Sequence, residues 1–128
     1  MKIQTREIIH DFSKVIVIFT TEFGESRAYW EGDEPIKNHE YDVEVDIHDV
    51  LEWGNDITKN VGEVYSIGFK DNRVYITGIL ESADDDGYSV LRIGDFIIPF
   101  MAKGDSFPVN TSILLMVNTI CLTPFYSC

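Results

Sequence analysis

Residues 63–80 read EVYSIGFKDNRVYITGIL, and the way this stretch folds back decides the rest of the fold. Asp71 and Asn72 sit between two β-prone runs and tolerate the positive φ that a two-residue type I′ turn demands. That turn sets Lys70 opposite Arg73, Phe69 opposite Val74 and Ile67 opposite Ile76. Tyr65 then falls over Gly78, filling the space left by the missing side chain. One register puts Tyr65, Ile67, Phe69, Val74 and Ile76 on a single apolar face, which predicts an antiparallel hairpin with that face buried.

The same chemistry recurs along the chain. KVIVIFTTEF (14–23) is a β-branched apolar run suited to a central strand, and Gly24 offers a turn from which SRAYW (26–30) pairs back. EGDEPIKNH (31–39) reads as a loop around Pro35. SADDDG (82–87) is a polar loop, YSVLRI (88–93) a strand, and Gly94-Asp95 a tight turn into FIIPF (96–100). Pro99 cannot donate to a ladder, so that strand is expected to end there or lie at an edge. MAKGDSFPVN is a loop, and TSILLMVNTICLTPF holds two short strands or one bent one. HDVLEWG (48–54) suggests a single helical turn stopped at Gly54. Eight or nine short strands without a long helix predict one all-β domain over 1–128. The expected form is a small antiparallel barrel or sandwich, with an OB-like barrel among the options.

Charge is the second feature. The chain of 128 residues carries a net charge of −12. Residues 31–56 hold ten acids (Glu31, Asp33, Glu34, Glu40, Asp42, Glu44, Asp46, Asp49, Glu52, Asp56) against Lys37 alone, and so contribute −9 of that total. Such a field disfavours nucleic acid and anionic membrane surfaces, both of which require Lys and Arg against phosphate. It favours a basic protein partner or solubility. The opening MKIQTREIIHDF has no unbroken apolar core of a signal peptide, and no run reaches the ~20 apolar residues of a membrane helix. The expected location is the cytoplasm. In that reducing compartment Cys121, placed in an apolar strand, and Cys128 are not expected to form a disulfide.

Within the acidic segment, EYDVEVDI (40–47) alternates Tyr41, Val43, Val45 and Ile47 with Asp42, Glu44 and Asp46. A strand's side-chain period of two then gives one apolar face and one carboxylate row. Like charges in a row repel, so they add nothing to folding. Tyr29, Trp30, Tyr41 and Trp53 border the segment, and aromatics beside steering charges are the composition of a binding surface. The candidate partner-binding set is Asp42, Glu44, Asp46, Glu40, Asp49, Glu52, Trp30 and Trp53. The alternative is that the two tryptophans belong to the core and the acids solvate a surface.

Signals of other chemistry are weak. His10, His39 and His48 lack the spacing of metal ligands, and neither cysteine lies near a histidine in sequence. Asp84-Asp85-Asp86-Gly87 resembles a calcium loop, but the place of the bidentate Glu is taken by Ile93, so a solvated hairpin loop is expected. No serine lies in a G-x-S-x-G turn and no Gly-rich phosphate loop is present. No catalytic residue, metal or cofactor is expected.

The order of features resembles small acidic immunity proteins of bacterial contact-dependent inhibition and related polymorphic toxin systems. The resemblance rests on YDVEVDI, then LEW, the tight hairpin, RIGDFII and the closing TICLTPFY, spanning roughly residues 40–126. It implies a cytoplasmic protein that neutralises one cognate toxin domain, commonly a basic nuclease, by covering its active or substrate-binding surface. No single residue is carried over by it. A general protein- or ligand-binding β-barrel and a small enzyme are the competing functions.

Overall fold

The computed structural model describes residues 1–125, so Tyr126 and Cys128 lie outside the described residues. These form twelve strands and no helix: β1 (Lys2–Asp11), β2 (Lys14–Thr21), β3 (Gly24–Trp30), β4 (Glu40–Asp46), β5 (Val50–Glu52), β6 (Ile57–Lys59), β7 (Ser66–Lys70), β8 (Arg73–Ala83), β9 (Tyr88–Ile93), β10 (Phe96–Lys103), β11 (Ser112–Val117) and β12 (Cys121–Pro124). The all-β expectation holds, with more strands than the eight or nine anticipated.

Five strands close into a barrel in the order β1-β2-β3-β12-β4, with β4 returning to β1. The other seven form a second sheet, β5-β10-β9-β8-β11-β6, with β7 added on β8. Most pairs are antiparallel, but β12 runs parallel to β3 and β5 parallel to β10. One apolar cluster joins both sheets, including Val17 and Phe19 from the barrel and Ile76, Leu91 and Leu115 from the second sheet.

The decisive hairpin is β7–β8. Asp71 and Asn72 have φ of 54° and 61°, and the pairs Lys70–Arg73, Phe69–Val74 and Ile67–Ile76 form as expected. Ile67, Val74 and Ile76 are buried, but Phe69 is 38% exposed and Tyr65 half-buried. Phe69 stays at the surface because it meets the Arg27 guanidinium, 5.6 Å from its ring centre, rather than the core. Tyr65 has partners of its own. Its hydroxyl accepts from Arg92 at 2.7 Å and its ring meets Phe23 edge-on. Gly78 is required by a backbone: a Cβ there would lie 2.4 Å from the Arg92 carbonyl oxygen.

The hairpin also locks the two sheets together. Gly24, at φ 140°, lies so close to Ile67 that a Cβ would meet its carbonyl oxygen at 2.1 Å. The Ile67 N–H donates to Phe23 O at 3.1 Å and the Ser26 hydroxyl donates to Gly68 O at 2.9 Å.

Three further expectations need correction. The stretch HDVLEWG makes no helical turn: Val50–Glu52 is strand β5, drawn out because the open side of β10 offers it partners at Met101–Lys103. Of the two expectations for Pro99, the edge position holds and the strand end does not, since β10 runs to Lys103. The proline is tolerated because β5 pairs only with residues 101–103, leaving an edge at Pro99. The loop read over 101–110 therefore begins only after Lys103.

Candidate functional site

Strand β4 lies between β1 and β12, and its pleat sorts its side chains as the alternation requires. Val43 and Val45 are buried in the core and Tyr41 is half-buried. Glu40, Asp42 and Glu44 are exposed and Asp46 half-buried on the opposite face. The neighbours across the ladder are Gln4 and Lys2 on β1, opposite Glu40 and Asp42, and Thr123 and Cys121 on β12, opposite Glu44 and Asp46. Small side chains on β12 leave the carboxylates standing above their surroundings.

Three bases lie near this face: Lys2, whose ammonium lies 3.1 Å from Glu40, the Met1 amino group, which feels the charge of Asp42, and Lys14 towards Cys121. Hydrogen bonding to Glu40, then the charges of Glu40 and Asp42, push the Lys2 pKa up. Among the described residues Asp42, Glu44 and Asp46 form no ion pair within 4.0 Å. At the end of the row, burial raises the pKa of the Cys121 thiol, and the charges of Glu31 and Asp46 raise it further against the opposing effect of Lys14. A thiol held protonated at neutral pH is a poor nucleophile.

The rest of the expected set is divided. Trp30 is only 7% exposed: its indole N–H donates to Asp33 O at 2.8 Å and its ring packs edge-on against Tyr41, 4.9 Å between centres. It belongs to the core, with little surface left for a partner. Asp49, Glu52 and Trp53 leave the row, because the chain crosses after Asp46 to the second sheet. Asp49 is exposed beside a cleft with Asp56, Arg73 and Met116. Glu52 approaches Lys103 at 3.9 Å, and Trp53 packs on Phe107 and Phe100 at 5.2 and 6.2 Å between ring centres. The structure thus assembles Glu40, Asp42, Glu44 and Asp46 into one row and separates Asp49, Glu52 and Trp53 from it.

The histidines are dispersed. His10 bonds Glu34 at 2.6 Å, His39 packs against the Tyr41 ring, and His48 is exposed. Among the described residues no three His, Cys, Asp or Glu side chains converge as a metal-binding group. Asp84–Gly87 forms a hairpin turn, with Gly87 N–H donating to Asp84 O and Tyr88 N–H to the Asp86 carboxylate.

A feature absent from the expected set is the outer face of β9 and β10, where Tyr88, Ile97 and Met101 are exposed. The sequence signal was the lack of alternation in FIIPF, whose outward Ile97 and Pro99 are as apolar as its inward Ile98 and Phe100.

Compared with protein-family models, with curated proteins and with solved structures, the chain matches none. No helix among the described residues is long and apolar enough to cross a membrane.

Proposed function

We propose that this protein is a non-catalytic, cytoplasmic binder of a basic protein, and that it acts as an immunity protein neutralising a toxin domain, a nuclease foremost. The supporting observation is the row on β4: buried Val43 and Val45 force Asp42, Glu44 and Asp46 outward as a set, and among the described residues none of the three has an ion-pair partner within 4.0 Å. Strand geometry spaces these carboxylates at about 6.6–6.8 Å, so they can stand in for successive phosphates before Lys and Arg side chains built to grip a nucleic acid. Covering those side chains blocks the substrate, and the negative field speeds encounter.

The test is co-expression with the toxin domain of a large exoprotein encoded beside this gene. Protection of growing cells and a one-to-one complex are expected, both weakened by the combined change Asp42→Asn, Glu44→Gln, Asp46→Asn. Full protection by that variant would reject the row as the contact surface. The purified protein should turn over neither RNA, DNA, esters nor glycosides. An activity that survives purification and vanishes with one carboxylate substitution would establish the enzyme alternative.

A ligand-binding barrel is the second reading. One observation favours it: a groove of about 160 Å³ between the barrel and the β7–β8 turn, with Ile16 and Val74 as floor and Arg27, Tyr29, Asn72 and Asn118 at the rim. Saturable binding of a small metabolite there, without a protein partner, would favour it.

A further inference from the structure

The second sheet carries an outward apolar patch that the acidic row does not explain. Val50 of β5, Met101 of β10 and Tyr88 of β9 stand in one cross-strand row. Pro99 and Val90 form the next, and Ile97 follows opposite Arg92. The pleat sets them against the buried face of Ile98, Phe100, Leu91 and Ile93. Ile97 is 62% and Val50 58% exposed, so these are apolar side chains left in water. Two strands about 4.8 Å apart with five residues each at about 3.4 Å, and Val50 of β5 beside them, give a footprint of roughly 180 Å². That is less than a quarter of the ~800 Å² one partner buries in a standard interface, so it suits the apolar centre of an interface whose rim supplies the remainder.

The rim is acidic. Asp84, Asp85 and Asp86 occupy the turn that leads into Tyr88, and Asp95 lies in the β9–β10 turn. The two bases nearby are already engaged: Lys103 with Glu52, and Arg92 with the Tyr65 hydroxyl. A second copy of this chain would set one carboxylate rim against another. A partner strand added at the β10 edge would find no N–H at Pro99. What remains is a partner laid on the sheet face, with an apolar centre and Lys or Arg around it.

We infer that the outer face of β5, β10 and β9 is a docking surface for a basic protein, with Ile97, Met101, Tyr88 and Val50 as its anchors. This rests on the reading of the chain as a binder of a basic protein, but places the anchoring contact on a different sheet from the β4 row.

The test uses two synthetic peptides, one alternating Leu and Lys and one alternating Ser and Lys, titrated into the isotopically labelled full chain. The variants are the double change Ile97→Ser, Met101→Ser and the triple row change, with thermal melts to show that each is folded. The Leu–Lys peptide should shift resonances of Val50, Tyr88, Ile97 and Met101 and keep most of its affinity at high salt. The double variant should bind it at least tenfold more weakly, and the row variant within about twofold of the parent. Equal binding of the Ser–Lys peptide, or shifts confined to Glu40–Asp46, would overturn the inference. So would a parent that sediments as a dimer dispersed by Ile97→Ser, Met101→Ser, since the occupant would then be a second copy. The two proposals fail separately: in the toxin co-expression assay, loss of protection by the double variant alone removes the row reading and keeps this one.

Discussion

Lys2 stands directly across from Asp42 in the β1–β4 ladder, yet its ammonium reaches diagonally to Glu40, 3.1 Å away. That ammonium is thereby held at one end of the row, with Asp42 and Glu44 exposed and Asp46 half-buried beyond it. The Lys2–Glu40 pair is exposed at both ends, so its stabilising effect is small and screened by salt. Because the pairing raises the Lys2 pKa, its contribution is complete below the ordinary lysine value and is lost only as pH rises through the raised one.

The first prediction concerns that row. Changing Asp42, Glu44 and Asp46 to Asn, Gln and Asn removes mutual repulsion and no ion pair. The melting temperature should stay the same or rise. Association with the basic partner should slow by tenfold or more at low salt and lose its dependence on ionic strength. Stopped-flow rates over a salt series, with melts alongside, provide the check. An unchanged salt slope in the folded variant would show that the row is only a solvated surface.

Ile67 and Phe69 lie two residues apart on β7 and should respond very unequally to a charge. Losing the buried isoleucine costs about 2–5 kcal/mol, and an unpaired carboxylate in its place adds to that, so Ile67→Asp should prevent folding. Phe69→Asp should cost about 1 kcal/mol or less, the scale of its exposed contact with Arg27. Denaturant melts of the two variants distinguish them, and equal losses would contradict the exposure of Phe69.

The glycines of the hairpin provide a second pair. A Cβ at Gly78 meets the Arg92 carbonyl at 2.4 Å, whereas one at Gly68 meets nothing within 4 Å. Gly78→Ala should destabilise by about 1–3 kcal/mol through overpacking against β9, and Gly68→Ala should be neutral within about 0.5 kcal/mol. Urea unfolding midpoints decide; a neutral Gly78→Ala would mean that β8 and β9 can separate at no cost.

Cys121 should be a slow thiol. Burial and the neighbouring acids raise its pKa, so in a Cys128→Ser background a disulfide reagent at pH 8 should react more slowly than with the denatured chain. Asp46→Asn should speed the reaction by removing one of those charges. The same shift makes folding weaker as pH climbs from the ordinary thiol value through the raised one. A reaction as fast as in the denatured chain would argue against the half-buried placement on β12.

Local chemistry determined a large part of this protein. The pair Asp71-Asn72 accepts positive φ, and with that turn in place the apolar pattern on either side allows one register, Ile67 against Ile76. The alternation over 40–47 likewise decided which side of β4 would carry carboxylates. Both depend on neighbours a few residues away, so they can be read along the chain. The tertiary structure alone decided what lies beyond that range. Tyr29 pairs with Cys121 and Val50 with Met101 in parallel ladders that no turn announces. The second of these carries Asp49, Glu52 and Trp53 away from the row to the other sheet. Whether an apolar side chain is covered depends on what packs over it: Asp33 and Tyr41 hold Trp30 in the core, while Ile97 is left 62% exposed. Period and turn chemistry act along the strand, and burial is settled by contacts between strands far apart in sequence.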